Sequence, residues 1–533
     1  MAPLFVGSNS DDSRIRSDRV GLAASTSNPA SAVTGDVYYN STDNKLTVYN
    51  GSDWASAGGG GTAEFIASGT IPNGATVIIN TDGTVGVITQ TALSTPTFGS
   101  AVVYNSGNTP YSAAVFDPIN KKVVIAYPDY GNSNYVTAIV GTVSGNTISF
   151  GSEVVAASTS SSYVSAAYDS TNDKVVIAYR DDGNSGHGTA IVGTVSGTSI
   201  SFGSATVFES ASTEWTSTAY DSSNQRIVIA YQDKGNSNYG TAVVGTVSGT
   251  SISFGSPVVF ESASEEYNSI VYDSANQKVV IAYMDSGNGS RGTAIVGTVS
   301  GTSISFGSPV VFNSSNNTYY ISAVYDSTNQ KVVIAYTDLG NSQYGTAIVG
   351  TVSGTSISFG SEVVFESATT QFISITYDSN INRVIIAYQD NSNSSYGTAV
   401  IGTVSDTSIS FGTPVVFESA TTAYTAMTFD SSNNKAVIAY RDGGNSSAGT
   451  AIVATTSSTN LTTENFIGFS DAAYTNGQTA KIQIEGSVDD AQSGLTTARK
   501  HYVQGDGTLS TTAGDPSVPA GTAISGTKII IET

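Results

Sequence analysis

The most regular feature of the chain is an apolar run without a polar gap. KVVIAY at 122–127 returns, with small changes, at 174–179, 226–231, 278–283, 331–336, 383–388 and 435–440. Successive residues of an extended strand point to opposite faces, so a run in which both sets are apolar predicts a strand covered on both sides. Sheets stacked face to face provide that cover.

The run belongs to a longer repeat. Phe-Gly-Ser or Phe-Gly-Thr begins at Phe98, Phe150, Phe202, Phe254, Phe306, Phe359 and Phe411, so six steps of 52 or 53 residues separate seven copies. In the fourth copy the order is SISFGSPVVFES, EYNSIVYDSANQ, KVVIAYMDSGNGSRG and TAIVGTVSG, and the other copies keep it. Each segment has strand length, is rich in Val, Ile, Thr and Tyr, and ends in Asn, Gly, Asp or Ser. No helical period interrupts them between 98 and 460.

These observations predict an all-β fold, a seven-bladed β-propeller of four-stranded blades over 84–461, because radial closure protects the sheet edges. A linear β-solenoid usually has a shorter period and needs caps. TVGVITQTALSTPTFGS at 84–100 is a partial extra copy. It is expected to complete the ring from the N-terminal side, with the strand at 85–89 taking part.

The flanks are expected to be separate. Residues 1–57 carry GDVYYNSTDNKLTVYNGSDW, which reads as an aromatic hairpin, and 58–61 form a glycine linker. A β-rich lead-in at 62–83 and a C-terminal β module at 462–533 bracket the array. FIASGTIPNGATVIIN in the first and FIGFSDAAYTNGQTAKIQIEG in the second share Phe-Ile, Asn-Gly and an apolar alternation. The two are predicted to pack side by side.

Composition narrows the function classes. Only 12% of residues are charged and the net charge is −22, which opposes binding to a phosphate backbone. No cysteine is present, so disulfides, thiolate nucleophiles and cysteine-bound metals are excluded. No export signal and no apolar stretch of membrane-spanning length is visible, so no membrane insertion is expected.

The terminal segments carry a resemblance. GDVYYNSTDNKLTVYNGSDW resembles the short hairpin module near the ends of bacteriophage tail-fibre proteins, and YVQGDGTLSTTAGDPSVPAGTAISGTKIIIE resembles a C-terminal module of marine and cyanobacterial phage structural proteins. Together they cover about a quarter of the chain. The resemblance implies a virion protein assembled in the host cytoplasm, a homo-oligomer attached to other virion proteins through its N-terminal segment. A tail fibre or spike adhesin that binds a host cell-surface glycan is one expectation. A capsid decoration (head fibre) or tail structural component, with the propeller as a rigid spacer, is the other.

Three recurrent positions are candidates for chemistry. An aromatic residue stands five places before each Tyr-Asp or Phe-Asp pair of the repeat: Tyr111, Tyr163, Trp215, Tyr267, Tyr320, Phe372 and Tyr424. Such rings could stack on sugars, with Glu209, Glu261, Glu366 or Glu418 accepting hydroxyl hydrogen bonds, or could simply pack between blades. An Asp follows two places after each apolar run, at Asp129, Asp181, Asp233, Asp285, Asp338, Asp390 and Asp442. One or two carboxylates per loop are few for Ca²⁺, and an Asx-type turn explains them more simply, so no metal or cofactor is expected. The residue just before that Asp varies (Pro128, Arg180, Gln232, Met284, Thr337, Gln389, Arg441), and Arg180 and Arg441 could orient an acidic sugar. With only His187 and His501, and acids that recur symmetrically, no catalytic residues and no enzyme are expected.

Overall fold

A computed structural model describes residues 61–533 except 316, 515 and 533, together with the backbone of four short strands between Ala24 and Ser56. Among the described residues the regular structure is strand, apart from six single-turn 3-10 segments. The chain divides into two compact units. One is Gln90–Thr459, and the other combines Met1–Thr89 with Asn460–Thr533.

The unit 90–459 is an all-β array of propeller type. In the third copy, Thr206–Asp221, Arg226–Asp233, Tyr239–Ser248 and Ser251–Phe254 pair in sequence order, all antiparallel. The first strand of each following copy pairs with the third strand of the copy before it, as Val258–Asp273 does with Tyr239–Ser248. Hairpin corners are set by an Asp at each first-strand end. Asp117, Asp169, Asp221, Asp273, Asp326, Asp378 and Asp430 accept backbone N–H groups two and three residues on, at 2.9–3.3 Å.

The apolar run forms the second strand, and both of its faces are buried. Val123 through Tyr127 are all 0% exposed. Their two faces enter different clusters. Val124 and Ala126 pack with Val175, Ile177 and Tyr179 of the next copy, whereas Val123, Ile125 and Tyr127 pack with Val437 and Ala439 of the last. Each remaining neighbouring pair of copies shares such a cluster in turn.

The strand that completes the last copy comes from the N-terminal side. Gln90–Phe98 and Val102–Asn108 both pair with Ala448–Thr459. Residues 85–89 do not take part, contrary to expectation. Val85–Val87 instead forms a hairpin with Thr76–Ile79, whose Asn80–Thr84 turn is held by Asp82 accepting from the Thr84 N–H and hydroxyl. The boundary therefore falls between 89 and 90 rather than at 84.

In the other unit the two similar flanking segments share one five-stranded sheet. Thr62–Ile66 pairs with Thr479–Gln483, and Thr76–Ile79 pairs with Phe466–Ser470. A second five-stranded sheet, from 488 to 531, joins it around a core containing Ile78, Phe466, Phe469, Val503 and Ile529. Before them, Val37–Asn40 and Lys45–Tyr49 pair antiparallel, as the hairpin motif predicts. Ala24–Ser25 and Trp54–Ser56 flank this hairpin, pairing with its first and second strands, and the other residues of 1–57 and most of the glycine linker lie outside the described residues.

Candidate functional site

The seven recurrent aromatics meet in a collar. Tyr111 touches Tyr163, Tyr163 touches Trp215, and the contacts continue through Tyr267, Tyr320, Phe372 and Tyr424 back to Tyr111. Ring centroids are 4.2–5.4 Å apart, with interplanar angles of 39–60°. All seven are half-buried. They therefore pack on one another, in tilted contacts of the kind aromatic quadrupoles favour.

The backbone aims them. In six copies the ladder between the first and second strands skips one residue on the second and two on the first, as between Ser162 and Ser165 opposite Arg180 and Ala178. This is a β-bulge, and the aromatic is its first residue. In the remaining copy Tyr111 lies in the break between Val102–Asn108 and Ala113–Asp117. At all seven the backbone is left-handed, with φ between 49° and 55°. A side chain in that region costs about 1 kcal/mol or more, and glycine would avoid it.

The collar borders a cavity of about 200 Å³ whose wall includes Tyr111, Ser112, Tyr163, Trp215, Thr216, Asn268, Phe372, Tyr424 and Thr425. Thr216 and Thr425 spend their hydroxyls on the carbonyls of Tyr163 and Phe372, tying neighbouring copies together. Burial raises the hydroxyls of Tyr111, Tyr163, Tyr267 and Tyr320 above the usual phenol range, that of Tyr163 to about 12. For Tyr111 the hydroxyls of Tyr424 and Tyr163 add to the effect. These groups stay protonated at neutral pH and can both donate and accept.

The glutamates expected to serve sugar hydroxyls are engaged elsewhere. Glu209, Glu261, Glu366 and Glu418 accept from the core phenols Tyr231, Tyr283, Tyr388 and Tyr440 at 2.9–3.1 Å. A phenol inside a sheet stack needs an acceptor, and the acid supplies it. Where the first copy has Asn105 and the fifth Asn313 instead, the acceptor comes from the following copy. Tyr127 donates to Glu153 at 2.9 Å and Tyr336 to Glu362 at 2.8 Å. The second copy has Ala157 at this place, and the copy after it has Ala205, so the fully buried Tyr179 hydroxyl is left without a partner.

The second recurrent Asp caps a turn. Asp129, Asp181, Asp233, Asp285, Asp338, Asp390 and Asp442 accept from backbone N–H groups two or three residues on at 2.9–3.2 Å. Among the described residues, no three His, Asp or Glu side chains gather as a metal site.

The variable residue before it reaches toward the next copy in several cases. Gln232 donates to the carbonyl of Glu265, and the Thr337 hydroxyl donates to the carbonyl of Thr370 at 2.8 Å. Arg180 is held by Asp182 at 2.7 Å and Glu214 at 2.8 Å, and Lys234 shares Glu214 at 2.9 Å. Arg441 lies 5.2 Å from the centre of the Tyr424 ring, a cation–π contact. Neither arginine is unengaged. His501 is buried in the C-terminal module and accepts from the Thr496 N–H at 3.3 Å, far along the chain from His187.

One place breaks the symmetry, and sequence reasoning passed over it. Two residues before the collar aromatic, six copies have Thr or Ser, and the fourth has Glu265. It is 0% exposed, and burial, reinforced by the charges of Glu266 and Glu261, raises its carboxyl to about 8 against the bond from Asn268. Aligning the copies position by position would have found it.

No family model matches the chain, and no curated protein matches it. Among solved structures the chain is similar to the BP39L lectin from Burkholderia pseudomallei, with 10% identity over 67% of this chain and 99% of that one and a TM-score of 0.49. It is also similar to the β-propeller domain of Cps50 (Swd1) from Myceliophteria thermophila, with 8% identity over 66% of this chain and 99% of that one and a TM-score of 0.41. A mutant of AofleA from Arthrobotrys oligospora aligns with 11% identity over 64% of this chain and 92% of that one, with a TM-score of 0.39.

Proposed function

We propose that the chain is a non-enzymatic carbohydrate-binding protein, a closed seven-bladed β-propeller that takes its glycan at the collar, and that it serves as an adhesin on a bacteriophage tail fibre or spike. The observation that carries the binding reading is the left-handed backbone at all seven aromatics. Packing alone does not call for strain repeated seven times, whereas a constraint that aims rings into one mouth does. Closure is supported by the cycle of ring contacts and by the core shared between last and first copies. Seven radial units turn each plane by about 51°, within the interplanar range of the collar.

The mode differs from seven independent stacking platforms. Each ring touches a neighbour on either side, so a sugar lies across the mouth of the collar and meets phenol hydroxyls and ring edges. Binding is therefore central and single, not one weak site per blade. The virion setting rests on the resemblance of the terminal segments, and the 1–57 segment would make the attachment. The spacer reading has the same ring contacts in its favour, because a collar of touching rings also holds blades together.

An immobilised-glycan array probed with the full chain separates the two. The adhesin reading expects discrete hits that are lost when Tyr163, Trp215 and Tyr267 are together replaced by Gly, which the left-handed backbone accommodates without strain. A folded triple variant with undiminished binding would overturn the collar as the glycan site, and a wild-type chain that binds no glycan and attaches to no host cell would leave the spacer role.

A further inference from the structure

The fourth copy differs from its siblings at two positions around the same aromatic. Beside Tyr267, Glu265 replaces the Thr or Ser of the other six copies, and Asn268 stands where they have Ser, Thr, Val or Ile. Asn268 lines the collar cavity and donates to one Glu265 carboxylate oxygen at 3.1 Å. The other carboxylate oxygen, Oε2, has no donor. Neither has Asn268 Oδ1, nor Oε1 of Gln232, whose amide N–H₂ bonds the Glu265 carbonyl. Glu265 is 0%, Gln232 2% and Asn268 9% exposed.

Three buried oxygens on neighbouring side chains thus share one proton, that of the neutral Glu265 carboxyl, which cannot satisfy both amide oxygens. Asn268 is the one of the three residues that lines the cavity, so a donor arriving there completes the patch. A sugar hydroxyl brings one. An ammonium group brings three and a positive charge, which matches a buried carboxylic acid whose neighbours Glu266 and Glu261 are also acidic. The nearby Lys234 ammonium is already 2.9 Å from Glu214.

We propose that the collar cavity receives its ligand through an ammonium group seated against Asn268, with Glu265 as the counter-charge behind it. Taken with the glycan reading, on which it rests, this makes the ligand a sugar with a free amine. Asn268 is the contacting residue. Glu265 is a positioning residue that fixes the Asn268 amide and ionises when the cation arrives, releasing its proton to solvent. A bound cation thereby relieves the burial that keeps the empty site neutral.

The test is calorimetric titration of the full chain at pH 7 with glucosamine, glucose, N-acetylglucosamine and methylammonium. Glucosamine is expected to bind at least tenfold more tightly than glucose or N-acetylglucosamine. Glu265→Thr and Asn268→Thr install residues found at the same places in other copies, and each should abolish that preference without lowering the unfolding temperature. Glu265→Gln, which keeps the shape, should abolish it as well. Equal affinity for glucosamine and glucose overturns the ammonium site while leaving a glycan site standing. Methylammonium binding that needs Glu265, with no sugar bound, upholds the ammonium site and removes the glycan reading. A preference kept in Glu265→Thr, or no heat from any of the four, overturns the inference.

Discussion

Replacing Glu265 by Thr should stabilise the protein, and the gain should grow with pH. The carboxyl ionises near 4.5 in the unfolded chain and near 8 in the folded one. Between those values the native state holds a proton that the unfolded state has released, so stability is lost as pH rises through the interval. The loss attributable to this group is about 1 kcal/mol at pH 5 and about 4 kcal/mol at pH 8, at ~1.4 kcal/mol per decade of pH. The unit 90–459 unfolds with an entropy on the order of 0.8 kcal/mol/K, from ~2.1 cal/mol/K per residue. Glu265→Thr should therefore raise the thermal midpoint by about 5 °C at pH 8 and by about 1 °C at pH 5. Differential scanning calorimetry of wild type and variant side by side cancels every other titrating group. Glu265→Gln should show the same pH dependence, because it removes the charge and keeps the volume. A midpoint difference that is equal at pH 5 and pH 8 would refute the reasoning, since the carboxyl would then titrate alike in both states.

Two further outcomes follow from the packing. Tyr231→Phe should cost about 1–3 kcal/mol by leaving Glu209 without its phenol, whereas Tyr179→Phe should be neutral or stabilising because its hydroxyl has no acceptor; urea midpoints of the two variants compare them directly. Deleting 464–533 removes the strands that pair with Thr62–Ile66 and Thr76–Ile79, so a non-specific protease should cut within 61–89 of the shortened chain and spare the same segment in the full one.

Much of the array was legible in the chain as written. A strand apolar on both faces must lie between two sheets, and Val123 to Tyr127 do, because alternation along a strand is a local property that needs no knowledge of partners. The seven-fold spacing and the turn role of the recurrent Asp residues are local in the same way. The pairing of the flanking segments was read from their likeness to each other, which two strands of one sheet share for the same packing reason.

What the sequence could not give was where side chains point once a strand is broken. The collar depends on a bulge and a left-handed residue, and neither leaves a trace in apolar period, since glycine, their usual mark, is absent from those positions. The same holds for Glu209 and its counterparts. Read along the chain they lie near the aromatics, but the fold turns them onto a phenol more than twenty residues away. Residues 85–89 had the composition of a closing strand, but Val85–Val87 pairs with Thr76–Ile79 across a short turn, and closing a short loop costs less entropy than closing a long one. The sequence by itself set the repeat, the strands and the buried faces, all of which follow from patterns within a few residues. The tertiary structure alone brought seven rings from repeats about fifty residues apart into one collar and buried Glu265 beside it as a neutral carboxyl, because contacts and desolvation arise only when distant segments meet.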